Sequence, residues 1–151
     1  MTSHAVALCA FILLLPTLAA AEPSAFPADF VARLDESSEI YVGTQRKDGS
    51  RSSVVPVWFA YIDGAIWFSS KPSSHKVKRV EKGSPLYVSA TAAEGPFIET
   101  KAEIVKDAGV ADRLGAIYAQ KYWLAWIGYQ RPSAARLETG EIVLLKLTPM
   151  P

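Results

Sequence analysis

Residues 51–80 read RSSVVPVWFAYIDGAIWFSSKPSSHKVKRV, and the reading of this stretch decides the fold. Residues 54–61 and 65–68 are rich in Val, Trp, Phe, Tyr and Ile, which fit a pleated, half-buried surface. Asp63-Gly64 between them is a strong short-range hairpin signal. The sequence therefore predicts a strand, a tight turn, a second strand, a polar loop and a basic helix. Ser69, Ser70, Ser73 and Ser74 bring hydroxyls to that loop, and Ser74-His75-Lys76 opens a segment with four basic side chains from His75 to Arg79. Helix N-termini favour anions through free N–H groups and the dipole, so this segment reads as an anion seat. A capped, solvated surface helix is the competing reading.

Both parities of the first strand are apolar, with Val54, Pro56 and Trp58 alternating with Val55, Val57 and Phe59. Such a strand is expected to be buried on both faces, by core on one side and by another layer or subunit on the other. Pro56 has no N–H for a ladder, which predicts an edge, a bulge or a place where something other than a strand meets the backbone. A cofactor ring or a dimer partner can fill that role.

Outward from this stretch, residues 39–45 read as a strand that turns through Lys47-Asp48-Gly49-Ser50, where glycine takes positive φ at little cost. Upstream, Phe30, Val31 and Leu34 fall at helical spacing behind Pro27, predicting a short amphipathic helix over 27–37. Downstream, residues 74–82 read as a helix capped by Ser73 or Ser74 and ended by Gly83. Strands are expected over 84–91 and 97–106, an amphipathic helix from Asp107 to Tyr122, and a last strand over 141–147. Hairpins dominate the connections, which gives class α+β, mostly β: an antiparallel sheet or small barrel of six strands with peripheral helices.

Residues 1–21 are set apart. Ala5 to Leu15 is an apolar run broken by Pro16 and Thr17, and Ala19-Ala20-Ala21 stands ahead of Glu22, the layout of a secretory signal peptide. The run falls short of the roughly 20 apolar residues that span a bilayer. The expectation is one domain over 22–151, secreted or periplasmic, with no membrane span after cleavage. That domain contains no Cys, no Asn and a single histidine, His75. No disulfide can staple it, no cluster of Cys or His can hold zinc, and a hydrolase triad would have to use His75. The formal net charge of +1 argues against a general nucleic-acid binder.

Among candidate functional residues, His75 can donate to a phosphate, carry a proton or ligate haem iron. Trp58, Trp67, Tyr122, Trp123, Trp126 and Tyr129 can line a flat pocket for a planar ligand or serve as core and interface. Arg131 and Arg136 can meet an anionic substrate or form surface ion pairs. No glycine-rich nucleotide-binding motif is present.

Taken in order, RKDGS (46–50), PVWF (56–59), DGAIWFSS (63–70), SHKVKRV (74–80) and AEIVKD (102–107) resemble the pyridoxamine 5'-phosphate oxidase-like family of flavin-binding split β-barrels, including its deazaflavin-dependent relatives. The resemblance runs from about Glu39 to Leu147. It implies a six-stranded antiparallel split β-barrel and a homodimer with two FMN molecules in grooves between the subunits. It places Ser53, Val54, Val55 and Pro56 near the flavin ring, and Ser69, Ser70, Ser74, His75 and Lys76 around the phosphate. The implied chemistry is hydride transfer between flavin and an unknown small molecule, with no side chain acting as nucleophile. Deazaflavin F420 is an alternative cofactor, and a non-catalytic protein holding haem, a bilin or a flavin is the alternative function. His75 stands where family members commonly have Arg, Arg79 where they have Asn, and Thr100 where a glycine is frequent. The chain ends soon after its last expected strand, so pyridoxamine phosphate oxidation itself is not expected.

Overall fold

The computed structural model describes residues 24–151, and the expected signal segment lies outside them. Helix α1 (Ala28–Glu36) starts directly after Pro27 and, of the three positions its spacing marks, buries Phe30 and Leu34 and leaves Val31 half-buried. Strand β1 (Ile40–Thr44) leads into the 47–50 turn, where the Asp48 carboxylate accepts the Ser50 N–H at 3.0 Å and Gly49 sits at φ 84°.

The sequence predicts one strand over 54–61, and the structure has two. β2 (Val55–Val57) and β3 (Ala60–Ile62) are separated by Trp58 and Phe59. The chain continues through β4 (Ala65–Ser70), α2 (His75–Val80), β5 (Leu86–Ser89), β6 (Ile98–Val105), α3 (Ala108–Lys121), α4 (Trp123–Trp126), α5 (Ala134–Glu138) and β7 (Val143–Pro149). All pairings are antiparallel, in the order β2-β1-β5-β6-β7-β4-β3, so the strand count is seven rather than six.

That order dictates the shape. Laid flat, seven strands would separate the two edges by about 29 Å at about 4.8 Å per neighbour. Yet β2 and β3 occupy those edges, and the three steps from Val57 to Ala60 reach at most about 11 Å. The sheet must curl until its edges nearly meet, which makes it a half-closed barrel.

The two residues that jump the gap belong to no strand, so their backbone groups need other partners. Helix α3 and the residue after it supply them. The Tyr118 hydroxyl donates to the Trp58 carbonyl at 2.5 Å, and the Tyr122 hydroxyl accepts the Phe59 N–H at 3.1 Å while donating to the Ser38 carbonyl at 2.6 Å. Lys121 Nζ reaches the Phe59 carbonyl at 3.4 Å and lies 3.5 Å from the centre of the Phe59 ring. The split in the expected strand is thus built by side chains some sixty residues away.

Two cores explain the strands that are apolar on both parities. Ile66 and Phe68 of β4 and Val143, Leu145 and Leu147 of β7 join Leu34, Ile40, Phe59, Val77 and Leu86 inside the barrel. Ala65, Trp67 and Leu144 point the other way and are covered by Ala111, Leu114, Tyr118 and Tyr122. Strand β2 breaks this pattern. Val55 is 41% exposed and Pro56 is exposed, so the expected burial on both faces is not met within a single chain. The edge reading of Pro56 holds: β2 pairs only with β1, Pro56 facing Tyr41. Thr100 is fully buried and its hydroxyl donates to the Leu86 carbonyl at 2.8 Å, tying β6 to β5. Among the described residues no helix is long and apolar enough to cross a membrane.

Candidate functional site

The Asp63-Gly64 turn sets where β4 starts, and the strand carries the chain to Ser70, where the hydroxyl loop begins. Both residues take positive φ, 51° and 77°, which matches the twist of the flanking strands. At the far end of β4, Ser70 Oγ lies 3.1 Å from Ser74 Oγ. Ser74 in turn caps α2, accepting the Val77 N–H at 3.3 Å. With Val77 and Val80 buried against the barrel, this cap fixes which way Lys76 and Arg79 leave the helix.

Two cavities meet at Lys76. One, of about 460 Å³, is lined by Pro56, Trp58, Ser69, Ser70, Lys76 and Tyr129, with Lys71, Arg136 and Glu39 also at its wall. The other, of about 340 Å³, is lined by Thr44, Arg46, Ser53, Val55, His75, Lys76 and Arg79. Each cavity carries residues from both halves of the expected site, Pro56 with Ser69 and Ser70 in the first and Ser53 and Val55 with His75 in the second, and Lys76 is common to the two. Lys76 is half-buried, and burial lowers its pKa from the ordinary lysine value because desolvation penalises the charged form. No carboxylate pairs with it among the described residues.

Of the nine residues expected at a cofactor, Ser53, Val55, Pro56, Ser69, Ser70, His75 and Lys76 line these cavities. Val54 and Ser74 line neither. Val54 lies against β1, its Cγ2 about 3.5 Å from where a Cβ on Gly43 would stand, and the Ser74 oxygen accepts the Val77 N–H and lies beside the Ser70 hydroxyl. The anion seat is also less a helix terminus than a set of side chains, since α2 is only six residues long.

Sequence reasoning missed Thr44, Arg46 and Ser52, and it counted Arg79 in the basic anion segment without assigning it to the cofactor. Arg46 is brought in by the β1 hairpin, where its Nη1 donates to the Arg51 carbonyl at 2.6 Å. Arg79 Nη1 donates to the Thr44 hydroxyl. Basic character was the available signal; nothing in the spacing linked residue 46 to residue 79.

The aromatic expectation divides. Trp58 stacks on Tyr122 with centroids 4.3 Å apart and meets Tyr129 edge-on at 6.2 Å, forming one wall of the larger cavity. Trp67 is core, whereas Trp123 and Trp126 are 74% and 72% exposed and line neither cavity. Arg136 reaches the larger cavity and pairs with Glu141 at 2.7 Å, lowering that carboxyl's pKa; Arg131 does not line it. Among the described residues no group of His, Cys, Asp and Glu is placed to hold a metal ion.

No family model matches the sequence, and no curated protein matches it. Solved structures do. A Listeria innocua protein named for pyridoxamine 5'-phosphate oxidase is 14% identical, with a TM-score of 0.58 over 82% of this chain and 92% of that one. The chain has the pyridoxamine 5'-phosphate oxidase-like split-barrel fold. An F420 reductase shares the split barrel at 18% identity and TM-score 0.50, over 83% of this chain and 97% of its own. So does HutZ, the haem storage protein of Vibrio cholerae, at 11% identity and TM-score 0.56, over 85% of this chain and 92% of its own. At these identities the likeness establishes the split barrel and leaves the ligand to be argued from the residues.

Proposed function

We propose that this split barrel binds FMN across Lys76 and acts, as an exported homodimer, as a flavin-dependent oxidoreductase on a small molecule. The observation that carries the reading is Lys76 itself, a half-buried cation without a carboxylate partner at the seam of two cavities. A desolvated charge of that kind gains from an incoming anion. The donor set fits a phosphate: the Lys76 ammonium, the Ser69 and Ser70 hydroxyls, and His75 with Arg79 beyond them.

Val55 and Pro56, exposed on an edge strand, offer an apolar seat to a planar ring, flanked by Ser53 and backed by Val54. When bound, the flavin supplies hydride transfer. The chain's own residues orient it: Lys76 and the serines hold the phosphate end, and the β2 backbone, fixed against β1, sets the height of the ring. Trp58 and Tyr129 wall the space beyond Pro56, where a small substrate fits and Arg136 can meet an anionic group. The open face of β2 is the surface a second copy would cover. Export rests on the signal-like residues 1–21. Deazaflavin F420 would use the same phosphate donors.

One observation favours a second reading. His75 is exposed at the rim of the smaller cavity, so its imidazole is free to ligate haem iron, and one structural neighbour is named a haem storage protein. The absorption spectrum of the purified protein separates the two. Flavin bands support the FMN reading, a Soret band supports haem, and a colourless protein that takes up neither added cofactor sinks both.

A further inference from the structure

Beyond His75 the smaller cavity continues into a groove of about 540 Å³, with which it shares Arg46, His75 and Arg79. Six of the protein's sixteen Lys and Arg, namely Arg46, Lys47, Lys76, Lys78, Arg79 and Lys82, line this continuous surface, and no Asp or Glu does. None of the six is in an ion pair among the described residues. Asp48, whose pKa is lowered by Ser50 and by Arg46, stays outside both linings. The chain as a whole is close to neutral at +1, so this separation of sign is local.

A flavin mononucleotide brings one phosphate, about −1.5 to −2 in charge. Lys76 with one guanidinium already matches that. Lys47, Lys78 and Lys82 then remain as like charges around a groove with no carboxylate in its lining, alongside Arg46, whose guanidinium is held by the Arg51 carbonyl and the Ser50 hydroxyl. A guanidinium fixed in this way is set up to meet a phosphate through its free N–H groups. We propose that this groove is a second anion subsite, and that the ligand of the split barrel is a dinucleotide-type diphosphate, with its second phosphate among Arg46, Lys47, Lys78 and Lys82. The proposal starts from the flavin reading of the adjoining cavity and extends the ligand out of it.

The test compares FMN, FAD and ADP binding to the full chain and to a K47A/K78A/K82A variant by calorimetric titration at two salt concentrations. The expected result is that FAD binds about tenfold or more tighter than FMN. The variant should lose that advantage with FMN affinity unchanged, and added salt should erode it in the parent protein. Equal affinity for FAD and FMN, or a variant that weakens both alike, overturns the subsite. If neither flavin binds but ADP binds the parent and not the variant, the subsite stands and the flavin reading falls. If ADP also fails, both fall.

Discussion

The indole of Trp58 lies flat against the phenol of Tyr122, the ring planes 5° from parallel and the centroids 4.3 Å apart. This stack joins the crossover between the two sheet edges to the end of α3. The same tyrosine spends its hydroxyl on the Phe59 N–H and the Ser38 carbonyl. Tyr122→Phe keeps the stack and removes the hydrogen bonds, leaving the buried Phe59 N–H without a partner. We expect a loss of about 1–3 kcal/mol in urea unfolding. An unchanged midpoint would mean that the crossover is not held from α3.

Gly115 tests the other side of that helix. A Cβ there would fall 2.1 Å from the Pro132 carbonyl oxygen, a backbone atom that cannot swing aside. Helix propensity alone makes Gly→Ala favourable by about 1 kcal/mol. Here Gly115→Ala should instead destabilise, by about 1–3 kcal/mol, as overpacking does. A raised Tm would show that α3 and the 131–132 segment are not in close contact.

The pH dependence of stability has a worked sign. Burial lowers Lys121 from 10.5 to about 8 despite the opposing pull of Asp35, and raises Tyr122 from 10.0 to about 12. Between pH 8 and 10 the unfolded chain holds the Lys121 proton more tightly than the folded one, so stability rises with pH. Lys76, lowered by burial as well, adds to that rise. Above pH 10 the unfolded Tyr122 ionises first, and stability falls. Lys121→Met should flatten part of the rise in chemical-denaturation midpoints taken across this range; an unaltered slope would remove Lys121 as its source.

How much of this was legible in the sequence differs by residue. Asp63-Gly64 announced its turn because only a few residue types take positive φ there. The break at Trp58-Phe59 was hidden, since both residues favour strands and what interrupts them is a pair of tyrosines distant in sequence. Lys76 was legible from the basic segment that opens α2. Arg46 was not, because the β1 hairpin delivers it, and the sequence did not show that the oxygen of Ser74, rather than that of Ser73, caps the helix.

The cap role of Ser74 makes a prediction. Ser74→Ala removes the cap of α2 and should lower stability by about 1 kcal/mol. Its effect on FMN affinity, measured by flavin fluorescence, should be smaller than that of Ser70→Ala, whose hydroxyl lines the larger cavity. A larger loss of affinity from Ser74→Ala would return Ser74 to the ligand.

The claim that Lys76 seats the phosphate of a flavin is tested most directly by titrating the protein and its Lys76→Met variant with FMN and with riboflavin, which lacks the phosphate. The account predicts that FMN binds the parent protein about tenfold or more tighter than riboflavin and that the variant no longer distinguishes them. Equal binding of the two flavins by the parent protein, or a variant that keeps the full preference for FMN, would contradict it.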